Sequence, residues 1–72
     1  MDKNPLQAAI DIAGGQSKLA RLAGVNQQDI WYWLNKSRKG VPLERVPNIE
    51  RATEGRITRY QLRPDFFGDS PK

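Results

Sequence analysis

Gln16-Ser17-Lys18-Leu19-Ala20-Arg21-Leu22-Ala23-Gly24-Val25-Asn26-Gln27-Gln28-Asp29-Ile30-Trp31-Tyr32-Trp33-Leu34 is the stretch on which the fold turns. It predicts two short helices joined by a tight turn. Leu19, Ala20, Leu22 and Ala23 form the apolar stripe of the first helix, because residues three and four apart share a face. Gly24 follows them, where a helix ending in a left-handed residue favours glycine. Val25 then points inward, and Asn26 is placed to cap the second helix, with Asp29 able to reach back to the free amides. Ile30, Trp33 and Leu34 supply that helix's buried side. A small residue at Ala20 lets two steeply crossing helices approach closely near their junction. Ala20, Gly24 and Ile30 are spaced as in a helix-turn-helix, which lays its second helix in the major groove of DNA. Helical hairpins of other purpose share this spacing, so the charge pattern has to separate the two readings.

The chain of 72 residues allows one domain with a small core. It contains neither cysteine nor histidine. A disulfide framework and a thiolate metal site are therefore ruled out, and the usual general base at neutral pH is missing. Carboxylates are spread along solvent faces rather than paired, so no enzymatic activity and no cofactor are expected. No apolar run approaches the roughly 18 residues of a membrane span, and the N-terminus lacks the apolar core of a signal peptide. These features predict a soluble, cytoplasmic protein with no small-molecule substrate.

The net charge of +4 is informative through its placement. From Gln16 to Gly40 the ionisable residues are Lys18, Arg21, Asp29, Lys36, Arg38 and Lys39, which together carry the whole excess. Elsewhere, basic and acidic residues cancel. Such segregation is expected of a surface that meets phosphates, whereas charge added for solubility alone need not cluster.

Upstream, Asn4-Pro5 reads as a cap followed by proline at the first helical position. Leu6, Ala9, Ile10 and Ala13 continue at helical spacing, and Gly14-Gly15 ends this scaffold helix, with Asp11 facing solvent. Gln16 and Ser17 begin the second helix, where free amides and the positive dipole end attract a phosphate or where one of these side chains caps the helix. Lys18 and Arg21 complete its polar side. The third helix, about Gln27 to Lys36, exposes Gln27, Gln28, Trp31 and Tyr32. Glutamine pairs bidentately with adenine in the major groove, and Tyr32 suits a phosphate or a base edge. Trp31 lies about 100° from Ile30 and so is at least partly exposed, which suits a thymine methyl, the sugar-phosphate wall, the first helix or a second subunit. Lys36-Ser37-Arg38-Lys39-Gly40 is a loop whose cations fit backbone contacts.

Downstream, Val41 to Val46 reads as a helical turn halted by Pro47. Pro47 opens a helix to about Glu54, with Ile49 and Ala52 inward, and Gly55 ends it. Thr58 is placed to cap a short helix, Arg59 to Leu62, that stops before Pro64, although Ile57, Thr58 and Tyr60 leave a strand open across 56–62. Apolar side chains between Arg56 and Phe67 outnumber what a small core buries, which suggests a self-association surface there. The expected organisation is a single domain over 1–67 and a disordered tail over 68–72.

Residues 9–20, 24–30, Trp33-Leu34, 41–53 and 58–65 resemble the Cro-like, YdaS-type bacterial and phage repressors. The resemblance covers nearly the whole chain. It implies an all-α, compact five-helix repressor-like domain, a transcriptional regulator, and a homodimer on palindromic double-stranded operator DNA. By position it implies DNA contacts from Gln16, Gln27, Gln28 and Tyr32. Trp31 departs from the small polar residue usual there. The full expected DNA-binding set is Gln16, Ser17, Lys18, Asn26, Gln27, Gln28, Trp31, Tyr32, Lys36, Arg38 and Lys39. The alternative is a protein-interaction module, antitoxin-like or an anti-repressor adaptor, whose basic face meets an acidic partner.

Overall fold

Helix α1 (Pro5–Ala13) begins where the Asn4 side chain accepts a hydrogen bond from the Leu6 N–H at 2.8 Å. The computed structural model describes residues 4–68, so the tail expected over 68–72 lies, after Gly68, outside the described residues. Helices α2 (Gln16–Ala23) and α3 (Gln27–Asn35) follow, then α4 (Val46–Ala52), α5 (Arg59–Leu62) and α6 (Pro64–Phe67). A 3-10 turn, Leu43–Arg45, leads into α4. The all-helical expectation holds, and α6 is a short addition to the five expected helices.

Helix α2 lies at the centre, packed on α1, α3 and α4. Its Leu19, Ala20 and Ala23 are buried with Ile30 and Trp33 of α3, Leu6, Ala9 and Ile10 of α1, and Val46 and Ile49 of α4. Each large aliphatic side chain taken fully from water contributes about 1.5–3 kcal/mol, so Leu19, Ile30, Val41, Val46 and Ile49, all fully buried, carry much of the fold. Leu22 does not join them. It is 55% exposed, and with Ile12 it lines a shallow groove rimmed by Arg51 and Arg56. An eight-residue helix wedged among three neighbours still leaves one flank open, and Leu22 falls on that flank.

Two boundaries differ from the sequence reading. Pro47 does not halt the preceding turn, because it sits in the first turn of α4, where a helix needs no N–H, and Val46 comes before it. At the other end α4 stops at Ala52, short of Glu54. The buried Thr53 hydroxyl lies 3.2 Å from the Ile49 carbonyl and accepts the Ile57 N–H at 3.2 Å. Glu54 and Gly55 then both take left-handed backbone, at φ 56° and 79°, and turn the chain away. The strand alternative over 56–62 fails because Thr58 closes a capping box: its side chain accepts from the Gln61 N–H while Gln61 accepts from the Thr58 N–H.

The C-terminal part contributes more to the core than its apolar surplus suggested. Ile57 and Leu62 are buried, Tyr60 and Phe67 are partly covered, and Phe66 stays 63% exposed. Arg63 is buried. It donates from Nη1 to the Val41 carbonyl at 2.9 Å and grips Asp65 through two further bonds of 2.9 and 2.8 Å. That hydrogen bonding from Arg63 holds the Asp65 carboxyl below its ordinary value, with a smaller contribution from Lys39.

Replacing Arg63 with Ala leaves the Val41 carbonyl without its charged donor, and should lower unfolding free energy by about 2 kcal/mol in urea titrations. Arg59→Ala, which breaks a solvent-exposed pair with Glu50, should change little. The folded Asp65 carboxyl binds its proton more weakly than the unfolded chain does. The Arg63–Asp65 pair therefore stabilises the fold above the ordinary carboxyl value of 3.8, and that contribution fades as pH falls through the lowered value. Asp65→Asn should flatten this part of the acid denaturation curve.

Candidate nucleic-acid interface

The turn between α2 and α3 builds the face. Gly24 adopts φ 74°, a conformation that costs any side-chain-bearing residue energy, and Val25 donates its N–H to the Ala20 carbonyl at 2.9 Å. The Asn48 amide reaches across from α4 to the Ala23 carbonyl at 2.8 Å and so ties down the end of α2. Asn26 takes the cap position of α3 with extended backbone, but its side chain makes no capping hydrogen bond. The expected reciprocal pairing with Asp29 therefore does not close, and the Asn26 side chain is exposed. Asp29 nonetheless lies in the first turn, where the helix dipole favours a negative charge.

Ile30 and Trp33 hold the back of α3 in the core, with Leu34 half-buried beside them. Gln27, Gln28, Trp31 and Tyr32 all emerge into solvent. Gln28, Trp31 and Tyr32 fall on one arc, opposite the buried side. The sequence reading omitted Asn35, which the same arc carries four residues beyond Trp31 and seven beyond Gln28; its spacing was the available signal. The Asn35 amide bonds the Trp31 carbonyl at 3.0 Å and remains exposed.

At the start of α2, Gly15 is the cap residue and no side chain caps the helix. The bland assignment of Gln16 or Ser17 as a cap is thereby removed, and the first amides of α2 stay uncommitted to a side chain. Gln16 is half-buried, whereas Ser17 and Lys18 are exposed. Lys18 folds over the end of α1: a Cβ placed on Gly14 would lie 3.2 Å from its Cδ. Its charge thus sits beside the negative end of the α1 dipole.

Lys36, at the C-cap of α3, bends its ammonium to 5.9 Å from the Trp31 ring centroid. Ser37 then closes the loop by donating to the Gly40 carbonyl at 2.9 Å, leaving Arg38 and Lys39 exposed. Away from this face, Arg59 pairs with Glu50 and Arg63 with Asp65. Part of the charge outside the hairpin is therefore neutralised locally, which sharpens the basic bias of the α2–α3 surface. No group of side chains among the described residues could hold a metal ion, and no described helix is long and apolar enough to cross a membrane.

A short helix set against a central partner through a glycine turn, with its polar arc open and cations beyond its end, defines a helix-turn-helix domain. The chain belongs to the YdaS family: the family described as "Bacterial toxin YdaS" matches residues 6–71. It is 46% identical over 58 residues to YdaS of Escherichia coli (strain K12), a protein named as a candidate transcriptional regulator. That match takes in 81% of this chain and 58% of the relative, so the chain spans less than two thirds of the relative's length. No solved structure matches the chain.

The two indoles differ sharply in access, Trp31 at 47% exposure and Trp33 at 9%. Iodide should quench the emission contributed by Trp31 and leave a blue-shifted, protected component from Trp33. Trp31→Phe should remove the quenchable component alone. Equal quenching of both would show that α3 is not anchored as described.

Proposed function

We propose that this chain is a sequence-specific double-stranded DNA-binding transcriptional regulator, a Cro-like repressor of phage or prophage origin that reads an operator with α3 in the major groove. The observation that carries this reading is the division of α3 itself. Gln28, Trp31 and Tyr32 stand open on one arc, Gln27 is exposed beside them, and Ile30 and Trp33 lock the opposite side. Recognition helices use their N-terminal side chains on base edges in this way. The regulatory name of the 46% identical relative supports the same reading.

In this mechanism Gln27 and Gln28 read base edges, and Tyr32 meets a base or phosphate. The uncapped start of α2, with Gln16, Ser17 and Lys18, receives a backbone phosphate, and Asn26 lies at the entry to the groove. Lys36, Arg38 and Lys39 supply counterion-releasing contacts along the duplex. The chemistry is binding alone, without catalysis or cofactor. One short helix discriminates poorly, so the chain acts as a homodimer on two half-sites about one helical turn apart. The exposed Phe66, stacked edge-on against Phe67 at 5.0 Å, offers the apolar surface for pairing.

The second reading is a protein-interaction module, antitoxin-like or an anti-repressor adaptor, that meets an acidic partner through the same basic face, whose exposed Arg38 and Lys39 would serve it equally. Salt titration against nonspecific duplex separates the two, since a DNA binder loses affinity in proportion to the phosphates it contacts. After selection of bound sequences from a random duplex pool, Gln28→Ala should relax preference at one or two base pairs. Lys39→Ala should weaken all duplexes alike and lower the salt slope by about 1. Enrichment of no sequence would overturn the repressor reading.

A further inference from the structure

Trp31 is the residue that neither fold nor backbone contacts absorb. The core beneath α3 is filled by Ile30 and Trp33, and nearly half of the Trp31 side chain remains in solvent. The ring is nonetheless positioned. The Lys36 ammonium lies 5.9 Å from its centroid, which holds the indole along the arc of α3 that also carries Gln28 and Tyr32. It stands one helical turn beyond Gln27 and Gln28, deeper along the helix that would follow the groove.

The major-groove edge of duplex DNA presents donors, acceptors and a single apolar group, the thymine C5-methyl. A wide apolar ring brought to that surface finds a match only at the methyl. The indole N–H is a donor without acceptor capacity, and the neighbouring thymine O4 is an acceptor. Resting on the reading of α3 as the groove-facing helix, we infer that Trp31 is a specificity-determining residue that selects thymine through its C5-methyl. Lys36, seated against the ring, has two tasks. It supplies positive charge near the phosphates, and it limits the rotamers the indole loses on binding.

The test uses the consensus duplex obtained by selection from a random pool, with each thymine replaced in turn by deoxyuridine, which lacks only the methyl. Binding is measured by fluorescence anisotropy for the wild-type chain and for Trp31→Ala. The wild type should lose about fourfold in affinity at one thymine of each half-site, the worth of one buried methyl group. Trp31→Ala should show no loss at that position. Trp31→Gln, which exchanges an apolar surface for a bidentate amide, should shift the base selected there from thymine towards adenine. A wild type indifferent to every deoxyuridine, or a Trp31→Ala chain with the same losses as wild type, overturns the inference while leaving operator recognition intact. A pool that yields no consensus overturns both.

Discussion

The close approach of α2 and α3 is the constraint on which the rest of the molecule depends. Ala20 and Ala23 are buried where the helices meet, and neither has a side chain large enough to hold them apart. Gly24 takes the left-handed conformation that reverses the chain within a single residue, and the Val25 N–H closes the turn on Ala20. Once the helices are set this close, Ile30 is enclosed completely and α3 has one rotation about its own axis that satisfies the core. The orientation of Gln28, Trp31 and Tyr32 is a consequence of that rotation. The open arc of α3 is thus specified by residues that never reach it.

A second constraint comes from the other end of the chain. Arg63 is buried, yet it is satisfied by the Val41 carbonyl and by Asp65. Charge burial of this kind is tolerable only where each donor finds an acceptor. Val41 follows directly on the loop that carries Arg38 and Lys39, so the C-terminal segment pins the base of the basic loop. A residue that looks like one more surface cation in the sequence is in fact a tie between the chain's last helices and the segment next to α3.

The proposed work of the surface divides along physical lines. Cations beyond the end of α3 and uncapped amides at the start of α2 act at any sequence, because phosphates are the same everywhere. Discrimination has to come from side chains whose geometry is held, and the anchoring of α3 by Ile30 and Trp33 provides this for the arc opposite them. In the proposed mechanism Trp31 joins the two functions, with its ring on the open arc of α3 and Lys36 against it. Pairing of two copies, in the same proposal, supplies what one short helix lacks.

Sequence alone was enough for the helical hairpin, because the spacing of Leu19, Ala20, Ala23, Gly24, Ile30 and Trp33 is a local periodicity, and burial follows from it directly. The same holds for the capped starts at Asn4 and Thr58, where a short polar side chain answers amides only two or three residues away. The exposed arc of α3 was likewise legible, by subtraction from its buried side. What only the tertiary structure decided were contacts between residues far apart in the chain. Leu22 is apolar and correctly spaced, but no neighbour covers its flank of α2. Arg63 is charged and near the end, but it meets a carbonyl 22 residues earlier. Whether a side chain is buried depends on what lies opposite it, and periodicity along one helix carries no information about its neighbours' shape.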